Sequence, residues 1–450
     1  MAETTGFPGG ARDFLDARLV PMLARRLGGP WGSHASGLAT AWAYVLATLT
    51  WIVCILRQVP CLNGSDQYGW MCYSDIRVLY SSRGQATGGI PYINVNWEYP
   101  VLTGYFATVA NWISRLFGAV LSPAASPDQL VTNTKIYFAV NAVGLFVCLI
   151  WLVSSMLRLA PRSPVPAMLV AVSPAVWSSG LINWDLLAVA LTAAGLVSWN
   201  EKRPVLAGVW LGLAVAAKLY PIVIVAALVV LCLRRDPPGS GTTFRTWVTM
   251  ADTAAGTWLL VNLPMMITNF GRWKYFYVLN FNRGADFGSL WYALGLANLG
   301  VDDPVWWSRA VIVLGYVGLA VVIYIAPYPP TAPQIAYLAV AVMAVGNLVY
   351  SPQYVLWLLP LVVLARPKAL EFWVFTAAEL NYFVNIWFYL RAGLGHPYDV
   401  RWYILSIFIR IGVTIWLMSR VVRDVLWPEG WGRNRPGRRT PVALEPVAEG

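Results

Sequence analysis

The sequence predicts an all-α polytopic membrane protein with about ten to twelve transmembrane helices, and three observations lead there. Hydrophobic residues make up 58% of the 450 and charged ones only 12%, about half the charge share of a soluble domain. Apolar stretches near twenty residues recur along the chain, each long enough to cross ~30 Å of hydrocarbon. The 24 Trp and 22 Tyr gather at the ends of those stretches, where interfacial belts lie.

Residues 1–37 read as a cytoplasmic segment. They run too long before the first apolar core, carry Arg25 and Arg26, and lack a small-residue cleavage site after a short apolar run, so an uncleaved first anchor is expected. A transmembrane domain is expected over 38–426. Its single spans fall at 38–56, 101–121, 136–157, 186–199, 248–268, 310–325, 335–350, 355–365, 372–390 and 403–422. Two regions differ. Residues 165–180 are apolar but carry Pro166 and Pro174, and Arg158 and Arg162 fit neither side cleanly, so the topology between 121 and 183 stays open. Residues 205–233 hold Lys218 and Pro221 at their middle and read as two half-helices around a break. Such breaks persist at membrane depth only where protein or a watery cavity surrounds them. Residues 427–450, rich in Arg, Pro and Gly, are expected to be a disordered basic cytoplasmic tail.

The net charge of +11 does not call for nucleic acid. Basic residues sit in the N-terminal segment, in short inter-helix loops and in the tail, as the positive-inside rule distributes them. Arg234, Arg235, Arg245, Arg366, Lys368 and residues 420–439 are therefore expected to be cytoplasmic, together with both termini. The loops at 61–100, 269–309, 351–354 and 391–401 then face outward. Only five of the 32 basic residues are Lys, and that Arg bias, with so much Ala, Val and Gly, associates with a GC-rich bacterial genome. A bacterial inner membrane is the expected location. Cys54, Cys148 and Cys232 lie in apolar runs as packing residues. Cys61 and Cys72 share the first outward loop, where the compartment permits a disulfide. Without CxxC spacing or clustered His, neither a metal nor a cofactor is expected.

A transporter usually concentrates polar residues at mid-membrane. This chain concentrates them in two long outward loops rich in Trp, Tyr, Asn and acid. The first carries Cys72, Tyr73, Ser74 and Asp75, then Gly88 to Tyr92, then Trp97 to Pro100. On residue chemistry alone, Asp75 caps a helix from Ile76 to Arg83 and Glu98 is a solvated loop charge. The other reading sets a carboxylate at the membrane–water boundary, where a lipid phosphate and a hydrophilic acceptor can meet.

The string Ser74, Asp75, Leu79, Tyr80, Gly89, Pro91, Tyr92, Glu98, Tyr99, Pro100 resembles the first-loop pattern of glycosyltransferase family 87. These are polyprenol-phosphate-mannose-dependent mannosyltransferases of the GT-C superfamily. Three later strings agree: Ala217 to Pro221; Asn282, Arg283 and Asp286 with Ser289 to Tyr292; and Ser351 to Tyr354. The resemblance implies a GT-C fold with a long first outward loop and an inverting transfer from a polyprenyl-phosphate sugar to an envelope lipid or glycan. Asp75 would be the general base, a role suited to a carboxylate that stays ionised near neutrality. Glu98, Tyr80, Tyr92, Lys218, Arg283, Asp286, Gln353 and Tyr354 would contact donor or acceptor. A cation beside the leaving phosphate would help its departure, Arg283 first, then Lys218 and Lys274. Lys274 reads equally as an interfacial snorkelling residue and Lys218 as half of a buried pair.

One departure concerns the sugar. Members of the family carry His near the turn before the ninth or tenth span, whereas this chain has Gln353 there, and its histidines are His34 and His396. Gln353 can hydrogen-bond a sugar or phosphate but cannot shuttle a proton. Mannose is expected, with arabinofuranose or another sugar as the alternative. Asp185 reads as a helix-start cap or an acceptor contact. A lipid-sugar flippase and a non-catalytic cell-wall scaffold are the rival functions.

Overall fold

The computed structural model describes residues 32–122, 124–234 and 243–428. Most of the expected N-terminal segment and nearly all of the basic tail lie outside the described residues. Within them the chain forms 17 α-helices and no β-strand, and it passes repeatedly between two faces of one bundle.

The first pass is α1 (Gly32–Leu62), whose Leu38, Leu49 and Leu56 are exposed, as a lipid-facing surface requires. It runs antiparallel to α4 (Pro127–Leu159). Tyr44 pairs with Ser154 at one end and Lys135 with Asn63 at the other. Both helices are long and apolar enough to cross a membrane. Between them the first loop folds into α2 (Asp75–Ser82), a 3₁₀ turn (Gln85–Thr87) and α3 (Val101–Leu116).

Here the structure corrects the sequence: residues 101–121 are not a crossing. Asn111 in α3 bonds Gln85 of the same loop, and Val120 just after α3 is held at N–H and C=O by Asn133 near the start of α4. Both ends of α3 therefore lie on the loop face. The physical reason is its two-sidedness. Val109, Trp112, Ile113 and Leu116 are exposed along one side while Asn111 and Ser114 are buried on the other, the pattern of a helix lying along an interface.

The region left open resolves into a broken pass. From the far face, α5 (Val165–Val172) and α6 (Pro174–Ser179) carry the chain back, interrupted at Ser173, whose hydroxyl caps α6. Ile182 then accepts the backbone N–H of Asp75 at 2.7 Å. Arg158 lies on the far face, paired with Glu201 at 2.6 Å beyond α7 (Asp185–Asn200).

The chain returns through α8 (Pro204–Ala217), leaves through α9 (Pro221–Leu233) and returns through α10 (Phe244–Thr268). A Gly-x-x-x-Gly string joins α8 to α10. A Cβ on Gly208 would sit 2.4 Å from the Met250 carbonyl, and one on Gly212 would sit 2.5 Å from that of Ala254. Small residues at this spacing let membrane helix backbones approach closely. On the loop face lie α11 (Phe270–Phe281) and α12 (Leu290–Leu296). The last passes are α13 (Pro304–Ile325), α14 (Ala332–Gly346), α15 (Val355–Ala365), α16 (Ala369–Ala392) and α17 (Val400–Leu426), with a 3₁₀ turn (Pro352–Tyr354) before α15. On the far face Arg366 ties Glu371, at 3.1 Å, to Asp424. Both ends of the described chain lie on that far face.

Cys61, near the end of α1, is joined to Cys72 by a disulfide. With 11 residues of separation, the bond is expected to contribute about 2–3 kcal/mol by restricting the unfolded chain. The Cys61→Ser/Cys72→Ser variant should melt at a lower temperature, and non-reducing digestion should yield the two peptides linked. Recovery of both thiols free from native membranes would refute the bond.

Candidate active site

The loop face encloses a cavity of about 540 Å³ whose lining includes Asp75, Glu98, Lys218, Arg283, Gln353 and Tyr354. Residues far apart in the chain are brought together there by four breaks in helical structure: the first loop, the Lys218 step, the loop after α11 and the 3₁₀ turn before α15.

Asp75 opens α2 but does not cap it. The cap position is Ser74, whose hydroxyl donates instead to the Leu181 carbonyl at 2.6 Å. Both Asp75 oxygens accept phenols, Oδ1 from Tyr73 at 2.8 Å and Oδ2 from Tyr99 at 2.5 Å. Burial pushes the Asp75 carboxyl above its ordinary pKa, the two phenol bonds and Lys218 pull it down, and Asp185 pushes it up. The net shift is upward, which makes the ionised form a stronger base. Burial, together with the nearby carboxylates, raises the Tyr99 phenol as well, so it remains a donor.

Lys218 occupies the step between α8 and α9 in an extended conformation. Its ammonium lies 2.7 Å from Asp185 Oδ1 and 4.5 Å from the centre of the Tyr99 ring. Lys218 thus lines the cavity and is half of a buried pair at once. Asp185, read from sequence as a cap or acceptor contact, is its buried counter-ion. Trp357 donates to Oδ2 at 2.9 Å. Asn183 orients this corner by accepting the Asp185 N–H and donating to the Tyr99 hydroxyl.

Arg283 reaches the lining from the exposed loop after α11, and Asp286 grips its guanidinium at 2.9 and 2.6 Å. Asp286 itself stands behind the lining, so it orients Arg283 rather than facing the cavity. Glu98 pairs with Arg83. With Arg283 and Leu279, Glu98 also borders a second groove of about 520 Å³ along α11, lined by Tyr275, Val278 and Asn282. Tyr354 stacks on Trp357 with ring centres 3.6 Å apart, and Trp357 stacks on Tyr220.

Besides Asp286, two more expected contacts need correction. Tyr80 is buried against Tyr137, with ring centres 4.1 Å apart. Ile76, Leu79 and Tyr80 form the inward stripe of α2, so helical periodicity turns Tyr80 from the cavity. Tyr92 is buried too and donates to the Tyr99 carbonyl at 2.6 Å. Both tyrosines hold the loop that carries the site. Lys274 lies over Phe270, off the lining, and His396 borders a separate surface groove with Asp66 and Arg391. The site also includes residues that sequence reasoning did not single out. Tyr68, Tyr73 and Trp387 make an aromatic wall, and Trp357 anchors Asp185. Among the described residues no group of three His, Cys, Asp or Glu side chains could hold a metal ion.

A cavity with a twice-bonded carboxylate, a lysine–carboxylate pair, an arginine at its edge and aromatic walls suits proton removal from a hydroxyl beside an anionic group. No curated protein matches the chain. The model of glycosyltransferase family 87 matches residues 116–352, more than half of the sequence. The match includes Asp185, Lys218, Arg283 and Asp286, while Asp75 and Glu98 precede it and Gln353 follows it directly. Taken with the helical membrane architecture, that match shows that the chain belongs to glycosyltransferase family 87.

Proposed function

We propose that this glycosyltransferase moves a sugar, mannose in the first instance, from a polyprenyl-phosphate donor to an envelope lipid or glycan, with inversion, at the outer face of a bacterial inner membrane. The observation that carries the reading is the Asp75 carboxylate, held by two phenols in the cavity that Lys218 and Arg283 share. The acceptor hydroxyl donates to Asp75, and its oxygen bonds to the anomeric carbon while the bond from that carbon to the phosphate oxygen breaks. The proton goes to Asp75 and the electron pair leaves with the phosphate, whose charge a neighbouring cation stabilises.

The groove along α11 supports a lipid-linked donor. Val278 and Phe281 are exposed on that helix, an apolar approach for a polyprenyl chain, and Arg283 stands where groove and cavity meet. Gln353 supplies hydrogen bonds to a sugar or phosphate. Orientation is supported by Arg158, Arg366, Arg420 and Arg423 on the face opposite the cavity, which the positive-inside rule assigns to the cytoplasm.

Membranes containing the protein, given radiolabelled polyprenyl-phosphate mannose and extracted envelope lipids, should transfer label to an acceptor with the anomeric configuration inverted. Transfer only from polyprenyl-phosphate arabinofuranose would replace the sugar. Transfer from neither would refute both sugars.

A further inference from the structure

Arg410 and Glu379 lie inside α17 and α16, in helices apolar enough to hide them in the sequence. Arg410 is 0% exposed and Glu379 4%. Ionisable side chains inside a membrane domain are costly unless paired, and these form a two-point pair, with Nε–Oε1 at 2.9 Å and Nη2–Oε2 at 2.8 Å. The remaining donor capacity of the guanidinium goes to backbone. Nη1 reaches the Tyr350 carbonyl at 2.5 Å and Nη2 the Ser351 carbonyl at 3.2 Å. Its flat faces lie against Tyr350 and Tyr382, at 3.5 and 4.2 Å from the ring centres.

Those two carbonyls immediately precede Pro352, Gln353 and Tyr354 in the cavity lining. The same strip of backbone also holds the Arg283 loop. Asp286 donates its N–H to the Leu348 carbonyl and Tyr350 donates to that of Phe287. Gly288, at φ +76°, fits under this strip because a Cβ would lie 2.1 Å from the Tyr350 oxygen and 2.3 Å from the Tyr382 hydroxyl. Its own N–H goes to Tyr403 on α17 at 3.0 Å.

We propose that the Arg410–Glu379 pair is the positioning element for the donor side of the active site, fixing through the carbonyls of Tyr350 and Ser351 both the turn bearing Gln353 and Tyr354 and the loop bearing Arg283. Neither residue lines the cavity, so neither is catalytic. The guanidinium suits the task because its planar fork reaches a carboxylate and two carbonyls together, which an ammonium cannot match. For substrate class the inference rests on the polyprenyl-phosphate reading.

The test replaces the whole pair, because removing one partner strands a buried charge, whereas apolar replacement of both is often tolerated. In the full-length Arg410→Met/Glu379→Leu variant, amide exchange at Asp286, Gly288 and Tyr350 should accelerate while α2 keeps its protection. The KM for polyprenyl-phosphate mannose should rise about tenfold, as loosened positioning predicts. A merely structural loss would lower the amount of active enzyme and leave that KM alone. Arg410→Lys keeps the charge and should show the same pattern more weakly; it serves if the double variant fails to accumulate. Unchanged exchange at those amides with unchanged donor KM in folded protein overturns the proposal. A wild-type enzyme that ignores this donor refutes the donor reading, and the exchange measurement still decides the positioning role.

Discussion

Asp75→Asn is expected to insert, fold and bind donor lipid normally while losing at least about a hundredfold in turnover, the range for removal of a general base. The amide preserves size and still accepts from one phenol, so the change removes basicity more than structure. Glu98→Gln is the internal control. It breaks a partly exposed pair with Arg83, and pairs that water can reach contribute little, so its effect on turnover should be much smaller. The pH profile provides a second reading. A general base acts in its ionised form, and burial raises the pKa of Asp75. The acid limb of kcat/KM should therefore lie above the ordinary carboxylate value. Tyr73→Phe and Tyr99→Phe each remove a bond that favours ionisation, so each should move the limb further up. Near-full activity in Asp75→Asn, with loss in Glu98→Gln, would exchange the two roles. Full activity in both would leave the carboxylates out of the chemistry altogether.

Lys218→Met should damage the fold as well as the site. Its ammonium is the counter-ion of Asp185, which is 1% exposed, while Lys218 itself is only 15% exposed. Removing one member of such a pair leaves an uncompensated buried charge and costs about 3–5 kcal/mol. The companion variant Lys218→Met/Asp185→Asn removes both charges and keeps an acceptor for the Trp357 N–H. It should recover most of the thermal stability but not the turnover, because the cavity still lacks the ammonium. Melting temperature and turnover, measured on both variants in the same detergent, separate the roles. Wild-type stability in the single variant would show that Asp185 finds compensation elsewhere.

Much of this architecture was legible before any coordinates. The break at Lys218 announced itself as a charge and a proline in an apolar run, and the first loop gathered acid, aromatics and two cysteines in one stretch. Asp185 was seen, but its partner was not, because Lys218 and Trp357 reach it only through the packing of α7, α8 and α15. Tyr73 stands two residues before Asp75, yet nothing in the string says that its hydroxyl turns back to the carboxylate. The span read at 101–121 failed for a different reason. A count of apolar residues measures how greasy a segment is, not whether the grease lies on one side, and in α3 it does. Arg410 and Glu379 were invisible as a pair because each sits alone in the apolar middle of a long helix, 31 residues from the other.

That same α3 has a mechanical consequence. Its first turn is fastened to the end of α8, for Thr103 donates to the Ala217 carbonyl at 2.7 Å. Its exposed edge meanwhile presents Val109, Trp112, Ile113 and Leu116 as one apolar strip. That fastening lies one residue from Lys218, whose ammonium pairs with Asp185, so any shift of α3 along its length would pull directly on the backbone that carries the pair.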